Sequence, residues 1–206
     1  MDKAKNVEEY IARQRAAIAA NPECGTSHYN LAIGLLGQQK FDEAESALLE
    51  AIENSPTLAE AFVQLGGIRL SKGDLDGCLD YNIRATQTRA GFSEGYGNIG
   101  FVQLQKGEVD DAIKNLQKAI AYNSNFLQAY ATLANAYLMK GLVAESIEAN
   151  KKALKIEPDF PVAHYNLAIA YLEKEEGAKA VVHFDKAKAL GFEVAPEIAR
   201  EIDAFR

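Results

Sequence analysis

The chain has 206 residues, of which 48% are hydrophobic and 25% charged, a composition that excludes a disordered protein. Its 22 basic and 29 acidic side chains leave a net charge of −7, which argues against a nucleic-acid surface because phosphate neutralisation needs clustered Lys and Arg. Cys24 and Cys78 stand alone, without CxxC spacing, so neither a disulfide framework nor a cysteine zinc site is expected.

The opening Met1-Asp2-Lys3-Ala4-Lys5-Asn6-Val7-Glu8-Glu9 lacks the apolar run of a secretory signal. No later stretch approaches the roughly 18 apolar residues of a membrane span. The expected location is the cytoplasm. From about residue 6 to 20 the pattern reads as one helix.

From Gly25 onward the sequence repeats. Tyr29-Asn30-Leu31-Ala32-Ile33 returns 136 residues later as Tyr165-Asn166-Leu167-Ala168-Ile169, which is four periods of 34. The frame gives five repeats without insertion or deletion: 25–58, 59–92, 93–126, 127–160 and 161–194. The eighth position is always small (Ala32, Gly66, Gly100, Ala134, Ala168), as is the twentieth (Ala44, Cys78, Ala112, Ser146, Ala180). The twenty-seventh is alanine throughout: Ala51, Ala85, Ala119, Ala153, Ala187. Two helices whose backbones cross closely need small residues at fixed points. The fourth position carries aromatic or bulky residues (His28, Phe62, Tyr96, Tyr130, His164) that are expected to pack between hairpins.

Within each repeat the order is helix, tight turn, helix, short linker. Lys72-Gly73-Asp74, Lys106-Gly107-Glu108 and Lys140-Gly141 read as the turns, with glycine supplying left-handed backbone. Pro56 and Pro158 stand two residues before a new repeat, where proline ends one helix and permits the next. The second repeat departs from this pattern. It has Ala90-Gly91 in place of proline and polar Asn82, Thr86 and Thr88 in helix positions that are usually apolar. The fifth has Gly177 where a bulky residue is usual, and both are expected to be weak links.

This pattern resembles the tetratricopeptide repeat family, whose 34-residue unit carries a Leu-Gly pair, a later Ala and a terminal Pro. The resemblance spans residues 25–194. Pro22 and Ala17 fall in its proline and alanine positions, so residues 1–24 are expected to form a capping half-repeat. Residues 195–206 are expected to form a C-terminal cap, with Ile198, Ile202 and Phe205 on one stripe. The implied fold is all-α, a right-handed superhelical solenoid of antiparallel helix pairs.

Signals that could suggest chemistry are weak. Gly95-Tyr96-Gly97-Asn98-Ile99-Gly100 matches GxGxxG, but it falls inside a predicted helix with no strand before it, so no cofactor is expected. His28, His164 and His183 are too scattered to suggest a metal site, and Cys78 takes a small-residue position. Nothing reads as catalytic, and a non-enzymatic scaffold is expected.

The resemblance implies that the first helices line a concave groove that receives a peptide or protein. The groove-facing positions are the second, fifth, sixth, ninth, twelfth and thirteenth of the frame. The sixth reads Asn30, Gln64, Asn98, Thr132, Asn166, similar to the asparagine ladder of the family's O-linked glycosyltransferase members. Such amides can donate to and accept from a peptide backbone, or they can satisfy structural bonds within the stack; both readings stand. Asn135 stands in a further asparagine position of the family. The leucine stripe at the twelfth position (Leu36, Leu70, Leu104, Leu138, Leu172) reads as inter-repeat core more than groove floor. Gly67 and Gly97, near Phe101, admit a shallow pocket for a partner side chain or, more simply, a flexible seam.

Charge limits the partner. The chosen positions hold Glu60, Glu94 and Glu173 and no Lys or Arg, so the basic clamp that holds an acidic chaperone C-terminal tail is missing. A neutral or mildly basic protein or peptide segment is expected, with neither nucleic acid nor membrane as partner. The competing expectation is self-assembly into a homo-oligomer through the caps or the convex face.

Overall fold

The computed structural model describes residues 3–206, with side chains from Asn6 onward; residues 1 and 2 of the expected N-terminal cap lie outside the described residues. Among the described residues there are twelve helices and no strand. They are α1 (Lys3–Ala20), α2 (Gly25–Gly37), α3 (Phe41–Asn54), α4 (Ala59–Ser71), α5 (Leu75–Thr88) and α6 (Ser93–Gln105). The chain continues through α7 (Val109–Tyr122), α8 (Leu127–Met139), α9 (Val143–Ile156), α10 (Pro161–Glu173), α11 (Gly177–Ala189) and α12 (Pro196–Asp203). The fold is an all-α solenoid of repeated helix pairs.

Backbone chemistry sets the corners. The turns inside three pairs place Gly73, Gly107 and Gly141 at φ of 76°, 79° and 71°, the left-handed region where a Cβ is penalised. Gln39 and Glu175 take the same conformation at 59° and 57° in the turns after α2 and α10, so the geometry outlasts the loss of glycine. Pro161 and Pro196 open α10 and α12, where a missing N–H costs no helical bond.

Small residues let the helices cross. All five alanines at the twenty-seventh position are fully buried, as are Ala32, Ala44, Ala112, Ala134, Ala168 and Ala180. A Cβ on Gly66 would meet Asn82 Nδ2 at 2.5 Å, and one on Gly100 would meet Leu116 Cγ at 2.6 Å and the Ala112 carbonyl at 3.0 Å. Any longer side chain at these points would separate the helices.

The chain divides into two compact units, Met1–Asn98 and Ile99–Arg206. The first is built around Leu35, Leu48, Leu65 and Ile68, with Ile11 of α1 packed beneath Gly34. The second has Leu167, Phe184 and Ile202 at its centre, with Val194 and Ile198 packed against them. Here the unusual Gly177 has a partner: the ring of Phe205, just beyond α12, occupies the space that a side chain on Gly177 would need.

The polar residues of the fifth helix are absorbed locally. Thr86 donates to the Ile83 carbonyl at 2.8 Å and Thr88 to the Ala85 carbonyl at 2.9 Å. Asn82 is fully buried and donates to the Cys78 carbonyl at 2.8 Å. Desolvation of these groups is therefore offset by hydrogen bonds within the helix.

Candidate peptide-binding surface

The amide ladder does not behave as one set. In the first unit, Asn98 donates to Asn82 Oδ1 at 3.0 Å, so its side chain ties α6 to the buried polar site of α5. Asn30 and Gln64 are half-buried and make no side-chain hydrogen bond among the described residues. In the second unit, Thr132 bonds back to the Gln128 carbonyl at 2.9 Å, and Asn166 donates to the Ala131 carbonyl at 3.3 Å. Asn135 is exposed. Two ladder amides, Asn30 and Gln64, thus keep their hydrogen-bonding capacity, while three positions spend some of theirs on the fold.

The leucine stripe is mostly half-buried: Leu36 packs on the core of the first unit, and Leu138 and Leu172 on that of the second. The two groove glycines differ sharply. Gly67 is exposed, with open space where a Cβ would project, whereas Gly97 is buried. Phe101 is about a third exposed, at 37%. The GxGxxG run lies wholly within α6, and a Cβ on Gly95 would meet Thr86 Cγ2 at 2.8 Å, which gives that glycine a packing role.

A defined concavity of about 470 Å³ lies in the first unit, and neither Gly67 nor Gly97 is among the residues that line it. Tyr29 and Val63 give it apolar surface, Gln64 an amide, and Glu60 and Glu94 their carboxylates. Burial, with Glu60 nearby, raises the Tyr29 hydroxyl above its ordinary range, so it stays a neutral donor. A cation enters from outside the groove positions: Arg89, in the linker before α6, donates to Glu60 Oε1 at 2.5 Å and lies 4.2 Å over the Phe92 ring. The groove positions themselves hold no base, but the surface they form does. The signal in the sequence was the linker without proline, where Gly91 takes a φ of 74°.

The histidines also require a correction. His183, distant in sequence from the other two, meets His164 at 3.0 Å between Nδ1 atoms and stacks on Tyr171 at 5.6 Å. His164 Nε2 lies 3.0 Å from the Pro158 carbonyl, and His28 Nε2 lies 2.8 Å from that of Pro22. The fourth-position histidines therefore clip the proline linker behind them as well as packing. Among the described residues no three His, Cys, Asp or Glu side chains cluster as metal ligands.

Repeated helix pairs that cross at small residues and carry polar side chains along their first helices define a class of protein: the helical-repeat interaction scaffold. The sequence matches the tetratricopeptide repeat over residues 11–59, 29–77 and 127–160, and the TPR repeat over 100–141. The chain belongs to the tetratricopeptide repeat family. No curated protein matches it in sequence. Among solved structures it is similar to MamA, at 26% identity over 78% of this chain and 94% of that one, with a TM-score of 0.67. It is also similar to residues 41 to the end of MamA from Desulfovibrio magneticus RS-1, at 22% identity over 81% and 94%, with a TM-score of 0.70. YrrB, described as a TPR protein with an unusual peptide-binding site, matches at 21% identity over 93% of this chain and 97% of that one, with a TM-score of 0.71.

Proposed function

We infer that this protein is a non-enzymatic interaction scaffold that binds a neutral or mildly basic peptide or protein segment on the groove lined by its first helices. The observation that carries the reading is the pair of uncommitted amides: Asn30 and Gln64 stand at the same position one repeat apart and make no side-chain hydrogen bond among the described residues. Half-buried amides reached by water can exchange that water for the N–H and C=O groups of a peptide backbone. The peptide-binding site described for YrrB supports the same use of this fold. The surrounding carboxylates, Glu60 and Glu94, disfavour an acidic tail. Among the described residues no helix is long and apolar enough to cross a membrane. A cytoplasmic setting without membrane contact is part of the same proposal, and the net charge of −7 disfavours nucleic acid. The working unit is the five repeats of residues 25–194 between caps at 1–24 and 195–206.

The test is affinity capture with wild type and with Asn30→Ala/Gln64→Ala, with circular dichroism recorded on both. Loss of the captured partner at unchanged helicity supports the reading; capture that ignores both changes sinks it. A second reading, self-assembly through the caps or the convex face, draws on exposed apolar side chains of the second unit, Val182 at 65% and Phe205 of the C-terminal cap at 49%. Light scattering across a concentration series decides it: growth beyond a dimer favours assembly, a constant monomer mass rejects it.

A further inference from the structure

The cavity beside Gln64 already holds a guanidinium, and that guanidinium is the chain's own. Arg89 places its cation between the Glu60 carboxylate, 2.5 Å away, and the face of Phe92, 4.2 Å away. A carboxylate at the edge and an aromatic ring on the face are the two groups that recognise arginine over other side chains. Arg89 leaves the site unsaturated. Glu94, which stands in the frame position of Glu60 one repeat later, is exposed and accepts the hydroxyl of its neighbour Ser93 at 3.0 Å. Two carboxylates and one guanidinium line the cavity, so it keeps a net negative charge. Its volume of about 470 Å³ leaves room for a second side chain and for a backbone within reach of Gln64.

Arg89 is also free to leave. Its side chain is 46% exposed, so swinging into water costs little desolvation. The linker that carries it has Ala90-Gly91, with Gly91 in left-handed backbone, where the linkers after α3 and α9 have Pro56 and Pro158, so this corner has more conformational freedom than those two.

We propose that this cavity takes the arginine side chain of an extended partner segment, and that Arg89 is a built-in competitor which the incoming guanidinium displaces from Glu60. The proposal rests on the binding reading above and sharpens it: the partner presents arginine, and the chain's own arginine sets the threshold for entry. Removing the competitor exposes the site fully, so affinity rises by the inverse of the fraction of time the site was open.

The experiment titrates the full chain, by amide NMR, with a capped Ala-Ala-Arg-Ala-Ala peptide and with versions carrying lysine, citrulline or glutamate in place of arginine. The expected result is shifts centred on Gln64, Gly91, Ser93 and Glu94 with the arginine peptide, weaker binding of the lysine peptide, and none of the other two. Arg89→Ala tightens arginine-peptide binding by roughly tenfold, and Glu60→Gln, an exposed change that leaves the fold intact, weakens it by a similar factor. Unchanged or weaker binding by Arg89→Ala overturns the proposal, as does equal binding of the citrulline or lysine peptide. Preference for the glutamate peptide would make Arg89 an anion anchor and likewise overturn it. The two readings fail separately. If Arg89→Ala has no effect while the Asn30/Gln64 variant loses its captured partner, the cavity assignment falls and the groove reading stands. If capture ignores that variant while the Arg89→Ala effect holds, the reverse is true.

Discussion

Asn98 donates its side-chain amide to Oδ1 of Asn82 at 3.0 Å, and Asn82 is fully buried. The pair joins a residue on the ladder to a polar group inside the solenoid, so changing Asn98 changes the fold as well as the surface. Asn98→Ala leaves Asn82 Oδ1 without its donor and costs about 1–3 kcal/mol. Asn30→Ala, which breaks no internal bond, stays within about 0.5 kcal/mol of wild type. Urea denaturation of both single variants checks this, and equal midpoints would refute it.

Phe205 fills the space above Gly177, and a valine there has nowhere to go without moving the ring. Gly177→Val is expected to destabilise the second unit by about 1–3 kcal/mol, the usual cost of overpacking. Phe205→Ala removes the obstacle, so the double variant loses less than the sum of the two single changes. Thermal unfolding of the four proteins measures the coupling; strict additivity would show that the ring and the glycine do not interact.

The His164–His183 contact links the two rings to the Pro158 carbonyl. The Pro158 carbonyl only accepts, so His164 Nε2 carries a proton, and when His164 is neutral its Nδ1 accepts from His183 Nδ1. Burial first, then repulsion from His164 when it is protonated and from Lys151, holds the His183 pKa below its ordinary value. The folded state therefore keeps His183 neutral where the unfolded chain takes up a proton. Its contribution is complete above a pH of about 6.5 and falls as the pH drops below that value. Wild type should lose more stability between pH 7.5 and 5.5 than His183→Gln, as read by urea midpoints. Equal losses would exclude this linkage.

The two cysteines should react differently. Cys24 stands at the start of α2, where the Ser27 hydroxyl and then the backbone amides of Ser27 and Thr26 lower its thiol pKa. Burial raises that of Cys78. Iodoacetamide at pH 7 is expected to modify Cys24 roughly tenfold faster than Cys78 in the folded protein. Peptide mass spectrometry gives both rates, and a faster Cys78 would contradict the burial seen here.

The repeat pattern reported the backbone faithfully. A period of 34 with small residues at three positions marked the helix crossings, because close approach is a steric condition that each position meets by itself. Glycine turns at residues 73, 107 and 141 were legible for the same local reason. The candidate binding surface was only partly legible. Its positions could be chosen from the frame, but not which of Asn30, Gln64, Asn98, Thr132 and Asn166 would be spent on the fold.

By itself, then, the sequence determined the period, the helix pairs and the places where backbones touch, all of which follow from side-chain size at regular intervals. Only the tertiary structure decided the pairings: Arg89 with Glu60, His164 with His183, Phe205 with Gly177, Asn98 with Asn82. Each joins residues 16 to 29 apart in the chain through the reach and rotamer of two particular side chains. Such a contact leaves no trace in a periodic pattern, because it occurs once and depends on both partners at the same time.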